Sequence, residues 1–361
     1  MTASKDRKPY TVVSYFCGCG GLDLGFRGGF EYHGEEYERL PFRILRAYDK
    51  EERCIETYND YFGEANAFVQ DITQLDPTDV PRADVLIGGF PCQEFSSCGP
   101  LRGLKSERGR LYETMIAYME KHSPMVVVGE NVINLKRMDD GRVLEKIKSD
   151  LATAGYEVRV WEMFAPDYGV PQRRTRLILM CVRKDIYTMY GMPCEPLRTF
   201  KGRYRSIKWA IGDLESVTGN DIVPNQGDYF AAARAKNGNG QGDEINQADK
   251  PAYTIRANSK SRIQFHYSLN RRLTVRECAR IQTFPDDFEF KFSKTVNMSQ
   301  IGNAVPPMLA HLVASSVRDY LNAIPMKEGL HFEINIARHH AHAESSQDIG
   351  RNTVPNVAMY C

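Results

Sequence analysis

The chain lacks any apolar run approaching the roughly 18 consecutive residues that a membrane span requires. Its first eight residues are polar and lack the apolar segment of a secretory signal. An excess of charge of either sign is also missing: 47 Lys and Arg face 46 Asp and Glu, a formal net charge of +1. That balance speaks against a uniformly basic surface, the usual footprint of a nucleic-acid partner. Cysteine is sparse and odd in number, nine in 361 residues, which argues against a disulfide scaffold and for a reducing compartment. No internal repeat is found. What remains is an ordinary globular composition, long enough for one large or two modest domains at about 150 residues each.

Residues 11–182 alternate between two periodicities. Short runs rich in β-branched and aromatic residues at 11–16, 42–48, 85–87, 125–128 and 177–182 predict strands. Between them, 107–122 and 140–154 carry apolar residues at helical spacing; Val143, Leu144, Ile147 and Leu151 share one face before Gly155. Strands alternating with helices predict an α/β fold with a doubly wound, mostly parallel sheet. Ligands of such sheets bind beyond the carboxyl ends of the strands. After about residue 183 the alternation stops, and 236–243 (KNGNGQGD) reads as a loop. Helices return at Thr274, which opens a capping box with Glu277, and at Pro306-Pro307. The tail from Met326, with its histidines at 339, 340 and 342, reads as solvated rather than metal-binding.

Chemistry-bearing residues gather at the expected strand ends. The first strand runs into FCGCGGLDLG at 16–25, a turn whose glycines let a ligand approach the backbone. Asp23 occupies the third position of the dinucleotide fingerprint, which needs glycine there, so a nicotinamide oxidoreductase is disfavoured. Asp49 follows the second strand, where an acid accepts hydrogen bonds from a ribose, and Asp71 ends another predicted strand. Together these point to an adenosine-containing ligand, with a plain tight turn as the alternative. Cys92, in GGFPCQEFS at 88–96, lies just past a strand, where a thiolate nucleophile is plausible and packing is the bland reading. Glu130, in GENV at 129–132, puts a carboxyl at the same edge. No histidine follows in a comparable position, so a Cys-His hydrolase has little support. In QRRTR at 172–176, Arg174 and Arg176 alternate and would project from one face, offering forked donors to phosphate or base oxygens.

The order of these motifs resembles the cytosine-5 DNA methyltransferases. The resemblance runs from the turn at 16–21 through Asp49, Asp71, GFPCQ at 89–93, RGRL at 108–111, ENV at 130–132 and QRRTR at 172–176. It continues through RLTVRECARIQTFP at 272–285 and QIGNAVPP at 300–307. Each motif alone is weak; the set in that order is specific. The resemblance implies a Rossmann-like methyltransferase domain formed by 1–182 plus 295–325, a smaller target-recognition region with its hinge at 183–294, and a tail at 326–361. It implies S-adenosyl-L-methionine as cofactor and no metal. Cys92, Glu130, Arg174 and Arg176 would be catalytic. Phe16, Gly18, Gly20, Gly21, Leu22, Asp49, Lys50, Asp71, Ile72, Gly89, Pro91, Leu111, Asn303 and Val305 would line the cofactor site. Gln93, Ser96, Gln172, Arg203, Arg205, Thr254 and Arg256 would meet duplex DNA, with a mobile loop at 97–105. A cytoplasmic, monomeric bacterial enzyme paired with a restriction endonuclease is the implied setting.

An RNA cytosine-5 methyltransferase of the same fold is the nearest alternative, and the sizeable region 183–270 favours a DNA reader. A catalytically dead binding module is disfavoured by the intact Cys92, Glu130 and Arg176 set. The insertion at 31–40, with four glutamates, reads as a surface loop. The neutral total also resolves into segregated parts: residues 171–210 hold ten basic and two acidic residues, while 31–60 hold nine acidic and five basic. Neutrality thus excludes a uniformly basic protein, but not a nucleic-acid enzyme.

Overall fold

The computed structural model describes residues 8–63, 65–90, 111–231, 244–258 and 264–325. In chain order the first half forms β1 (Tyr10–Tyr15), α1 (Gly21–Arg27), β2 (Phe30–Tyr32), β3 (Glu35–Tyr37), β4 (Phe42–Asp49), α2 (Glu52–Phe62), β5 (Ala67–Val69), β6 (Val85–Gly89), α3 (Tyr112–His122), β7 (Val126–Val132), α4 (Arg142–Thr153), β8 (Tyr156–Phe164) and β9 (Thr175–Arg183). The second half adds α5 (Lys184–Tyr190), α6 (Ile207–Ile211), β10 (Glu244–Ile245), β11 (Gln264–Phe265), α7 (Val275–Ile281), α8 (Lys294–Asn303) and α9 (Pro307–Ala323).

Seven strands make one sheet in the order β5-β4-β1-β6-β7-β9-β8. Its first five are parallel; β9 runs antiparallel to both β7 and β8. The chain leaves β1 toward β4 on one side and β6 on the other, so a crevice opens at the carboxyl end of β1. Side chains of successive strand residues point to opposite faces, giving the sheet two apolar layers. Val12, Val85, Ile87, Val126, Val128, Ile178 and Met180 join α1 and α9 on one face. Val13, Leu86, Val127, Leu177 and Leu179 join α3 and α4 on the other. The α4 face is the one its spacing predicts, with Val143, Leu144, Ile147 and Leu151 all buried.

Three local structures depart from expectation. The insertion after α1 is a β2–β3 hairpin rather than a loop: its glutamates are exposed, but Phe30 and Tyr32 are buried. The β8 strand escapes the sequence pattern because it is a half-exposed sheet edge carrying Glu157, Arg159 and Glu162 among its apolar residues. Finally, Ile207, Ala210, Ile211 and Leu214, with Val275 to Phe290, pack into the same apolar cluster as α1 and α9. The described part of 183–294 therefore shares a core with the sheet domain. The loop at 236–243, the segment 97–105 and the tail at 326–361 all lie outside the described residues.

Candidate active site

The turn after β1 depends on its glycines for distinct reasons. Phe16 (φ 56°) and Gly18 (φ 53°) bend the chain, and Gly20 (φ 93°) opens α1. A Cβ on Gly20 would lie 2.6 Å from the Phe62 ring, and one on Gly21 only 2.4 Å from the Val305 carbonyl oxygen. The turn is thus clamped between α2 and the segment leading into α9. Gly18 differs: among the described residues, nothing lies within 4 Å of the position its Cβ would take. Its amide donates to Asp49 Oδ2 at 2.9 Å, and the Glu51 amide donates to Oδ1 at 3.0 Å. Burial raises the Asp49 pKa above the ordinary carboxylate value, and the two amides partly counter that.

Beneath the turn, Asp23 is fully buried and accepts hydrogen bonds from Ser14 Oγ (3.0 Å) and Tyr58 Oη (3.1 Å). Desolvation outweighs these bonds and pushes its carboxyl up to about 7. Farther along the same edge, Lys50 is exposed and Ile72 buried. The exposed Asp71 carboxylate accepts from Thr73 through Oγ1 (2.8 Å) and the amide (3.0 Å), which holds its pKa low. Asn303 is exposed beside the buried Val305. Leu22 is buried in α1, and Leu111 is half-buried at the start of α3. Open space over Gly18, the Asp49 carboxylate at the second strand end and a polar edge at Asp71 fit an adenosine-bearing cofactor.

Strands β6, β7 and β9 bring Gly89, Glu130 and Arg176 together. Glu130 in β7 stands in register with Gly89 of β6. A Cβ on Gly89 would sit 3.0 Å from Glu130 Oε2, so glycine leaves room for the carboxylate there. Glu130 Oε1 lies 2.6 Å from Arg176 Nε, and Glu130 and Arg176 are only 8% and 9% exposed. Arg176 also donates to the Thr175 carbonyl at 2.8 Å. Burial lowers the Arg176 pKa and the Glu130 charge opposes that; a guanidinium keeps its proton regardless. Next to Glu130, Asn131 Nδ2 donates to the Phe90 carbonyl at 2.9 Å. That bond fixes the end of β6, from which the chain proceeds to Cys92. Pro91, Cys92, Gln93 and Ser96 lie outside the described residues.

Four expected ligand contacts make bonds within the fold instead. Arg174 does not share a face with Arg176 toward substrate. It is 1% exposed, and its guanidinium donates to the carbonyls of Ile255 (3.1 Å), Gly302 (3.1 Å) and Ala304 (2.9 Å). Gln172 has no exposed surface: its amide bonds Ile281 and Gln282, and its oxygen accepts from the Ile255 amide at 3.0 Å. Arg205 is sandwiched between Phe200 and Trp209, at 4.5 and 4.2 Å from the ring centres, and paired with Glu35. Thr254 gives its hydroxyl to the Arg173 carbonyl at 2.5 Å. Arg203 and Arg256 are exposed, and Arg203 lines an open groove of about 500 Å³ with Arg173, Tyr204 and Lys250.

Sequence reasoning missed Asp23 as a buried group, Asn131 as the tether of Phe90, and Gln282. The last donates to the Ile301 carbonyl at 3.0 Å and the Ala304 carbonyl at 2.6 Å, joining Arg174 in pinning the segment that carries Asn303 and Val305. Polar residues inside the apolar rhythm of 272–285 were the available signal.

Comparison with known proteins places the chain in a family. The family model for C-5 cytosine-specific DNA methylase matches residues 10–319. The Type II methyltransferase M.BsuRI of Bacillus subtilis is 33% identical, with 86% of this chain and 79% of the relative covered. M.FnuDI of Fusobacterium nucleatum is 30% identical, with 86% and 94% covered. Among solved structures, the Schizosaccharomyces pombe Dnmt2 methyltransferase superposes with a TM-score of 0.60 at 16% identity. The Entamoeba histolytica methyltransferase EhMeth gives 0.65 at 16%; each alignment covers 87% of this chain and 99% of the other, and shows likeness of fold. The chain belongs to the C-5 cytosine-specific DNA methylase family and is a DNA (cytosine-5-)-methyltransferase.

Proposed function

We propose that the chain methylates carbon 5 of a cytosine within a specific duplex DNA sequence, through a covalent Cys92 adduct on a base flipped out of the helix. The observation that carries this reading is the buried Glu130–Arg176 pair at 2.6 Å, beside the tethered strand end that leads to Cys92. Cytosine carbon 5 is too electron-poor to accept a methyl cation unaided. The Cys92 thiolate forms a bond to carbon 6 while Glu130 holds a proton against ring nitrogen 3, which moves electron density onto carbon 5. Arg176 orients Glu130 and offers its remaining N–H groups to the base oxygen. S-adenosyl-L-methionine, when bound, supplies an electrophilic methyl group. Loss of the carbon-5 proton then expels Cys92 and restores the ring.

The cofactor would rest on Phe16, Gly18 and Leu22, with Asp49 on the ribose hydroxyls, Asp71 and Ile72 at the adenine, and Asn303 and Val305 closing the wall. Unstacking the target base costs a few kcal/mol, which DNA contacts from the basic segment around Arg203 must offset. A target-recognition role for 183–294, a cytoplasmic monomer and a companion endonuclease complete the proposal. The test is Cys92→Ser: methyl transfer disappears, cofactor binding persists, and DNA carrying 5-fluorocytosine traps the wild type but not the variant. Full activity of Cys92→Ser would overturn the mechanism.

A further inference from the structure

The β2–β3 hairpin is rooted in the sheet domain. Phe30 stacks on Tyr37 with ring centres 4.8 Å apart, and both rings stand edge-on to His311 of α9. Immediately after β3, the Glu38 carbonyl faces His311 Nε2 at 3.0 Å, and its carboxylate pairs with Arg318. The other end of the hairpin reaches three separate pieces of the 183–294 region. Tyr32 Oη donates to the Arg280 carbonyl in α7 at 2.7 Å. His33 Nε2 lies 2.7 Å from the Ala210 carbonyl in α6, and its ring stacks on Trp209 at 4.4 Å. Glu35 pairs with Arg205, whose guanidinium also lies over Trp209.

Arg205 directly follows Arg203 and Tyr204, two residues of the open basic groove. Phe164, at the end of β8, lines the same groove and meets Tyr204 edge-on at 5.9 Å. Phe164 pairs with Thr175, the residue before Arg176, so the groove opens on the edge of the sheet that carries the active site. Arg205, held by Glu35 of the hairpin and by the Phe200 and Trp209 rings, thus adjoins two residues that line this groove.

We propose that Glu35 and His33 are positioning residues for DNA engagement: the hairpin straps the recognition segment to the sheet domain and, through Arg205 and Trp209, aims Arg203 and Tyr204 at the DNA. This rests on duplex DNA being the substrate. The contacts of both residues run to Tyr32, Tyr37, Arg205, Trp209 and Ala210, none of them assigned to the cofactor or the reacting base. Loosening the strap therefore weakens DNA binding and selectivity while leaving cofactor affinity and the saturated rate in place. A surface ion pair contributes little by itself, so the effect sought is several-fold rather than complete.

The test compares Glu35→Ala, His33→Ala and the pair together with wild type in the full chain. Expected are a three- to tenfold rise in KM for duplex DNA and more methylation of sites with one altered base pair. The dissociation constant of S-adenosyl-L-methionine and kcat should stay within about twofold. Glu35→Gln, which keeps one hydrogen-bonding oxygen, should recover part of the loss. Hydrogen exchange of amides 205–214 should quicken in the alanine variants, a readout that needs no DNA and so separates failure of the strap from failure of the substrate assignment. Unchanged exchange at 205–214 overturns the strap. So does quickened exchange with unchanged KM and selectivity, or a parallel loss of cofactor affinity.

Discussion

Replacing Asp23 by Asn isolates a cost carried beneath the glycine turn. Asp23 has no exposed surface, and two hydroxyl donors, Ser14 and Tyr58, do not compensate its removal from water. Its carboxyl is pushed up to about 7 from an ordinary 3.8. At about 1.4 kcal/mol per pKa unit, ionised Asp23 costs the fold roughly 4 kcal/mol relative to its protonated form. The folded state holds this proton more tightly than the unfolded chain does. The stability it contributes is therefore fully present below about pH 4, is lost as pH rises to about 7, and changes little beyond. Asp71, Asp185 and Asp286, whose pKa values are lowered, work in the opposite sense and strengthen the fold as pH rises out of the acid range. Asparagine does not titrate, so the difference between variant and wild type cancels that background. Any offset from re-pairing the amide with Ser14 and Tyr58 is the same at every pH. Urea unfolding should show Asp23→Asn gaining on wild type by about 2 to 3 kcal/mol between pH ~5 and pH ~7, then holding level to pH ~8. A difference independent of pH across that window would refute the reasoning.

Other variants separate the chemistry from its supports. Glu130→Gln keeps the shape of the site but not its exchangeable proton; single-turnover rates should fall by about 10² to 10⁴ while DNA and cofactor binding persist. Arg174→Ala takes the guanidinium donor from the Ile255 and Gly302 carbonyls and leaves Ala304 only the Gln282 amide, and denaturant titration should show a loss of about 3 kcal/mol or more. Cofactor affinity should fall with it, because the same carbonyls anchor the Asn303–Val305 wall. Gly21→Ala forces a methyl group to within 2.4 Å of the Val305 oxygen; a loss of about 1 to 3 kcal/mol and weaker cofactor binding are expected in thermal and calorimetric titrations. DNA affinity measured against salt should decline steeply despite the net charge of +1, since the basic residues are concentrated around 171–210.

The sheet is legible in the sequence because buried parallel strands are short apolar runs. β1, β4, β6, β7 and β9 are each found within a few residues, and Asp49 closes β4 as its spacing implies; Glu130 instead lies inside β7, which runs on to Val132, opposite the last residue of β6. The Thr274–Glu277 capping box is equally local, and both of its reciprocal bonds form. Edge structure is harder. The β8 strand mixes charge into its pattern because one side of the sheet ends there. The hairpin looks like a loop because its glutamates face solvent while Phe30 and Tyr32 find partners far along the chain. The arginines mislead for a related reason. Alternation places Arg174 and Arg176 on one strand face only if both belong to the strand, and Arg174 lies just before β9. Its partners come from residues 255, 302 and 304, which no local pattern reveals. Arg205 likewise reads as part of a DNA-facing basic run, yet Phe200, Trp209 and Glu35 enclose it.

The atom that receives the methyl group distinguishes this chemistry from every other methyl transfer. Purified protein incubated with duplex DNA and S-adenosyl-L-methionine carrying a labelled methyl group, followed by digestion and mass analysis of the nucleosides, reads that atom directly. Label is expected in 5-methyldeoxycytidine, absent from the Cys92→Ser reaction and confined by bisulfite sequencing to one sequence context. Label on an exocyclic amino group, or label appearing in transfer RNA and not in duplex DNA, would contradict that expectation.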